Sequence, residues 1–193
     1  MVEKLKNIAS VQLGYSFRSK LVPTQGEGVS VIQMKDLTEH NLLNSDEIVT
    51  IEMNNLKDKH KVALNDIAFR SRGLASTAAL INKKIDNAVI AAPLFHIRVN
   101  ESKKLNPAYL CWFINQPTSQ ATLLSKATGT AQKSIRKATL ENLEITIPPL
   151  KTQLKIVNLE RLAVTEENIL TTLADKKRQL MEGILMRLAL ETQ

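Results

Sequence analysis

Beyond Pro148–Pro149 the chain continues for about 40 residues with no further proline, and its apolar residues recur at about 3.5 positions. Only a helix turns that spacing into one continuous face. Placing heptad position a at Ile156, Ala163, Leu170, Lys177 and Ile184, and d at Leu159, Glu166, Leu173, Leu180 and Arg187, makes seven of ten seam positions apolar. Leu162, Ile169, Ala174, Met181 and Leu188 widen the stripe. At about 1.5 Å per residue such a rod extends about 60 Å, more than a domain of this size covers by itself. Its apolar edge therefore needs a partner. The alternative is a break near Gly183 or around Thr165, with the helix folded back on its own domain.

The rest of the chain sets the context for that rod. Its 193 residues suit one ordinary domain plus an appendage, and 44% apolar with 23% charged residues is the composition of a folded, soluble protein. Lys and Arg exceed Asp and Glu by 26 to 19, a net charge of +7. The excess lies almost wholly in residues 1–149, with 19 basic against 13 acidic groups, while 150–193 carry 7 against 6. A phosphate-bearing partner for the first part follows as a working expectation. Cys111 is the single cysteine, which excludes an intrachain disulfide or a thiolate zinc cage and suits a reducing cytoplasm. Its apolar neighbours Tyr109, Leu110, Trp112 and Phe113 point to a buried, inert thiol. No apolar run is long enough to span a bilayer, so no membrane partner is expected. Glu3, Lys4 and Lys6 interrupt the apolar core that a signal peptide would need, so secretion is not expected.

Residues 1–149 alternate short apolar stretches with turn residues. Val29–Met34, Glu47–Met53, Asp66–Phe69, Ala88–Val99 and Leu143–Ile147 read as strands, and Asn106–Pro107 before AYLCWFINQ reads as a helix start. The fold class expected is α+β (mixed α/β) for 1–149, followed by one long C-terminal coiled-coil helix over 150–193.

Catalytic signatures are missing. Ile147-Pro148-Pro149-Leu150 lacks the polar and aromatic residues of a base-methylating loop and reads as a stiff joint between domain and helix. No G-x-S-x-G elbow, Walker loop or GxGxxG occurs. His40, His60 and His96 stand far apart, without metal-ligand spacing. His40 and His60 read as surface residues, His96 as a satisfied core histidine. Glu101, Lys103 and Asp86 form the one faint nuclease-like grouping, and a nuclease or methyltransferase fragment stays open as an alternative. A purely structural coiled-coil adaptor is the other.

Several cations stand beside glycine or hydroxyl residues, where backbone amides can share phosphate binding: Arg18 and Lys20, Arg70 and Arg72, Lys83 and Lys84, and the segment KATGTAQKSIRK. That segment offers Lys126, Thr130, Gln132, Lys133, Arg136 and Lys137 around a flexible Thr-Gly-Thr. Arg and Gln can pair bidentately with guanine and adenine, whereas Lys mostly meets phosphate. Seven aromatics in the whole chain give little stacking surface, so duplex DNA is preferred to single strands.

The order of segments resembles that of specificity subunits of Type I restriction-modification systems, in a half-length form. The resemblance is carried by IASVQLG at 8–14, VIQMKDL at 31–37, LNDIAFRSRG at 64–73, NPAYL at 106–110, GTAQ at 129–132 and LENLEITIPPLKTQ at 140–153. Two departures stand out: Asn65 precedes Asp66 where glycine is common, and Thr152 precedes Gln153 where an acidic residue is frequent. The resemblance implies a non-catalytic target recognition domain at 1–149 and a spacer helix at 150–193. It also implies that the protein reads half of a bipartite duplex site and recruits adenine methyltransferase subunits, with a restriction subunit as an optional further partner. S-adenosylmethionine would belong to those partners, leaving this chain with no cofactor or metal of its own.

If two copies replace the missing half, the helices pair antiparallel about a two-fold axis, with residue numbers of facing positions summing to 343. Leu170 then faces Leu173, Glu166 faces Lys177, Ala163 faces Leu180, Leu159 faces Ile184 and Ile156 faces Arg187. The seam charges Glu166 and Lys177 meet each other, whereas a parallel pair would stack like on like. A different half-subunit as partner stays open.

Overall fold

The computed structural model describes every residue except 25, 39–42, 54–55, 74–75, 101–103, 130–132 and 192–193. The chain divides into two compact units, Met1–Gln153 and Leu154–Gln193.

The first unit is α+β. It contains β1 (Val2–Lys4), α1 (Leu5–Ile8), β2 (Ala9–Leu13), β3 (Val29–Ile32), β4 (Val49–Ile51), β5 (Ile67–Phe69), β6 (Ala78–Leu80), β7 (Ala88–Ile90), β8 (Phe95–Val99), α2 (Pro107–Asn115), α3 (Pro117–Ser125), α4 (Lys137–Glu141) and β9 (Glu144–Thr146). The strands form an antiparallel four-stranded sheet β2-β8-β5-β6, a mixed three-stranded sheet β4-β3-β7 and an antiparallel pair β1-β9. In β5 all three residues are buried because β6 and β8 flank it, which is why Ile-Ala-Phe reads as an unbroken apolar run. Ile32, Ile81, Ile90 and Leu94 form one buried cluster; Val29, Val31, Ile51 and Val89 form a second.

The apolar run Ala88–Val99, expected as one strand, is two. Pro93 has no N–H to donate, and the chain turns through Ala91–Leu94, with a cis peptide at Ala92–Pro93, before β8 begins. Val29–Met34 stops at Ile32, because Asp36 Oδ2 accepts from Gln33 N at 2.7 Å and winds residues 34–36 into a 3-10 turn. The Asn106–Pro107 helix start is as read: Asn106 Oδ1 accepts from Ala108 N (2.9 Å) and Tyr109 N (3.2 Å), with Pro107 in the first turn.

Asn65 adopts φ 71°, a left-handed conformation that Asn tolerates better than most residues, which accounts for its place where glycine is common. The turn it makes delivers Asp66 into a buried network. Arg98 Nε and Nη2 donate to Asp66 Oδ1 and Oδ2 at 2.8 and 2.7 Å, His96 Nε2 donates at 2.7 Å, and Ala63 N donates at 2.7 Å. Burial alone would raise this carboxyl; the hydrogen bonds from Arg98, His96 and Ala63 outweigh it and hold the pKa down to about 2.

α5 (Leu150–Glu191) is one unbroken helix of 42 residues. It passes through Thr165, whose hydroxyl back-bonds to Arg161 O at 2.7 Å, and through Gly183 without interruption. Its first turn belongs to the globular unit, and Gln153 is the reason. That side chain is wholly buried, accepts from Asn106 N (2.8 Å), and donates to Lys104 O (2.9 Å) and Pro148 O (2.8 Å). Further along, Leu159, Leu162, Leu170, Leu173, Leu180 and Ile184 are all exposed.

Candidate nucleic-acid interface

One edge of the globular unit gathers loops that lie far apart in sequence, and hydrogen bonds join them in series. Tyr15, just after β2, donates its N–H to Ile90 O (2.7 Å) and accepts from Ala92 N (2.9 Å). Pro93 in the same turn accepts from the Ser71 hydroxyl at 2.7 Å. Ser71 O in turn accepts from Ile135 N at 2.8 Å, and Arg72 Nε donates to Ser134 Oγ at 3.4 Å. Ser134 also closes the segment after α3 through reciprocal bonds with Thr128, at 3.0 and 2.8 Å. The 15–20 loop, the 91–94 turn, the 70–73 loop and residues 128–129 and 133–136 are thus one connected edge. Gly14 is required for it: a Cβ there would lie 2.6 Å from the carbonyl carbon of Ala91.

The proposed DNA contacts divide by location. Arg72, Lys133 and Arg136 are exposed at the corner where the 70–73 loop meets residues 133–136, and Lys126 is exposed at the end of α3. Arg18 and Lys20 line a cleft of about 660 Å³ floored by Tyr15, Phe17, Ile51 and Met53. Lys83 and Lys84 precede β7, whereas the connected edge follows it, so they stand at the strand's opposite end. Thr130 and Gln132 lie outside the described residues, as do His40, Glu101 and Lys103. Arg70 is half-buried, and its Nη2 donates to both Met34 O and Leu37 O at 2.7 Å, fastening the 3-10 turn to the sheet.

Ion pairing sorts the cations further. Lys35, Lys61, Lys84, Arg98 and Lys137 each have a carboxylate within salt-bridge distance. Among the described residues none is paired with Arg18, Lys20, Lys57, Lys59, Arg72, Lys126, Lys133 or Arg136. Positive charge left unneutralised on a connected edge is what phosphate attraction requires. Sequence reasoning did not single out Ser71 and Ser134, which assemble the corner, or Lys57 and Lys59. The dense run KDKHK at 57–61 was the available signal for the lysines; nothing local marks the serines.

Reactive groups are quiet elsewhere. Burial pushes the Cys111 thiol up to about 12. His96 is buried against Asp66, and His60 packs edge-on against Tyr15 with ring centroids 5.3 Å apart. Asp86 is exposed and paired with Lys84 at 2.8 Å. Among the described residues no group of three His, Cys, Asp or Glu side chains could hold a metal ion, and no helix is long and apolar enough to cross a membrane.

The dimer-seam positions all lie on α5. Leu159, Ala163, Glu166, Leu170, Leu173, Lys177, Leu180 and Ile184 are exposed, and Ile156 is half-buried.

Comparison with known proteins gives a family. The family model described as Type I restriction modification DNA specificity domain matches residues 1–177. No curated protein matches. Among solved structures, the chain is similar to the Type I restriction-modification S subunit from M. genitalium, at 16% identity and TM-score 0.58 over 86% of this chain and 39% of that one. It is similar to a chain from a study of complex assembly and conformational transition of the type I R-M system, at 18% identity and TM-score 0.64, over 88% and 39%. The HsdS subunit from Thermoanaerobacter tengcongensis gives 20%, TM-score 0.60, and 86% and 37%. At these identities the likeness is one of fold, and the chain spans about two-fifths of each structure's length.

Proposed function

The chain belongs to the Type I restriction-modification DNA specificity family, and from that premise we propose that it is a non-catalytic, cytoplasmic subunit reading one half of a bipartite duplex DNA site. Residues 1–149 serve as the target recognition domain. Residues 150–193 serve as the helix that pairs antiparallel with a second copy, so that two reading domains meet inverted half-sites. Adenine methyltransferase subunits, optionally with a restriction subunit, assemble on that pair and supply both the chemistry and its cofactor.

The observation that carries this reading is the connected edge, whose cations pair with no carboxylate among the described residues, on a chain of that family. Arg72 and Arg136 have the side-chain type that discriminates guanine, and Lys133 and Lys126 suit phosphate. The experiment is selection of duplexes from a randomised pool by the full chain with a Type I methyltransferase subunit, followed by titration of the selected and a scrambled duplex. Arg72→Ala or Arg136→Ala is expected to reduce the preference for the selected sequence about tenfold or more, as losing one base contact does. Failure to enrich any sequence would refute the reading.

A further inference from the structure

We infer that Lys57 and Lys59, together with Arg18 and Lys20, form a sequence-neutral clamp on the phosphate backbone of duplex DNA, separate from the discriminating corner at Arg72. This rests on the DNA-reading function proposed above and divides its labour between two parts of one edge.

The geometry brings these residues together through rings. His60 ends the 3-10 turn Asp58–His60 and packs edge-on against Tyr15, while Tyr15 contacts Phe17 with centroids 4.8 Å apart. The KDKHK turn is thereby docked beside the loop that carries Arg18 and Lys20. The charges of Lys59 and Lys57 are felt at that contact: burial first, then these two lysines, lower the His60 pKa. Within the turn Asp58 is taken by Lys61 at 2.7 Å, leaving Lys57 and Lys59 as net positive charge. Glu52 is the one acidic residue among the described residues that line the cleft.

The chemistry of the lining decides what kind of contact this is. It offers the hydroxyls of Ser16, Ser19 and Thr24 and the cations Arg18 and Lys20, over an apolar floor. Among the described lining residues none is an Asn or Gln that could pair with an adenine edge. Lysines on flexible stems act as point charges toward phosphate and carry no sequence information. Continuity settles which acidic polymer is met. Tyr15 is bonded to the 91–94 turn, that turn to Ser71, and Ser71 to the corner segment, so a duplex gripped at Arg72 continues along this surface.

The test uses the full chain with a Type I methyltransferase subunit and measures affinity by fluorescence anisotropy across a salt series, for the selected duplex and for a scrambled one. Lys57→Gln/Lys59→Gln is expected to make the slope of log affinity against log salt shallower by about 1.8, two phosphate contacts at about 0.9 each. The ratio between the two duplexes should stay within about twofold of the parent, and Lys57→Arg/Lys59→Arg should restore the slope, because charge rather than side-chain shape is at work. An unchanged slope overturns the clamp while leaving the DNA-reading function standing. So does a collapse of the duplex ratio, or a loss of methyltransferase association without a change in slope, which would assign the lysines to an acidic protein surface. If the parent protein binds neither duplex, the function and the clamp fall together.

Discussion

Asp66 gives the sharpest quantitative test of the fold, because its environment fixes both the size and the pH dependence of its contribution. Its side chain is 3% exposed and holds four hydrogen bonds, two of them from Arg98. A folded-state pKa of about 2 lies below the ordinary 3.8, so the ionised form is favoured in the native state. A depressed carboxyl stabilises above its unfolded pKa and loses that contribution as pH falls through the folded one. The displacement corresponds to about 2 kcal/mol at neutral pH, falling to roughly 1 kcal/mol by about pH 2.5. Asp66→Asn removes this charge preference and also turns one acceptor into a donor facing Arg98 or His96, which adds about 1 kcal/mol. The total of about 3 kcal/mol sits at the low end for breaking a buried pair, as expected when the Arg98 side chain is itself 42% exposed. Urea unfolding of the full chain, followed by far-ultraviolet circular dichroism at fixed protein concentration, measures it. The gap between parent and variant should be widest at neutral pH and shrink toward pH 2.5. A gap below about 1 kcal/mol at neutral pH, or one that ignores pH, would refute the reasoning.

Three further outcomes are expected. Gln153→Ala strands the Asn106 amide and the Lys104 and Pro148 carbonyls in the interior, so unfolding should become easier by about 2–3 kcal/mol in the same urea assay. Gly14→Ala forces a Cβ against the Ala91 main chain and should cost about 1–3 kcal/mol; a variant as stable as the parent would show that the loop yields freely. For the helix pair, mixing Leu159→Cys chains with Ile184→Cys chains under mild oxidation should yield disulfide-linked dimers. The same positions in an antiparallel pair are about 37 Å apart, so either variant alone should stay unlinked. Cys111 does not interfere, being buried with its thiol pushed up to about 12. Linkage of Leu159→Cys to itself would mean parallel helices.

Elements with strong local causes were legible in the sequence. The long helix follows from a period sustained without proline, and the start of α2 from Asn106 before Pro107. The strands Val2–Lys4, Ala9–Leu13 and Ala78–Leu80 escaped notice, since three- to five-residue segments are made strands by their neighbours more than by their own propensity. β6, Ala-Ala-Leu, has scarcely any β character of its own; its pairing with β5 creates it. Gln153 was marked only as the end of the motif at 140–153 and not by its role, because its three partners lie in segments that only folding brings together.

The basic edge was legible only in half, and the reason is electrostatic. Whether a cation is available to phosphate depends on whether a carboxylate or carbonyl has already claimed it. Where the partner is local the claim can be read directly: Lys35 beside Asp36, Lys61 three residues after Asp58, Lys84 two before Asp86. Where it is distant it cannot. Arg98 finds Asp66 across 32 positions, and Arg70 finds the carbonyls of Met34 and Leu37 across 36 and 33. Arg70 and Arg72 look equivalent in Arg-Ser-Arg-Gly, yet one is half-buried and spent on main-chain acceptors while the other stands exposed against Ser134. The path of the chain produces that difference, since alternation alone would put residues two apart on one face: just past β5, Arg70 N still bonds to Thr77 O, whereas Arg72 has left the sheet and bridges Ser134. Basic residues on such an edge are therefore sorted by the path of the chain rather than by their sequence neighbours.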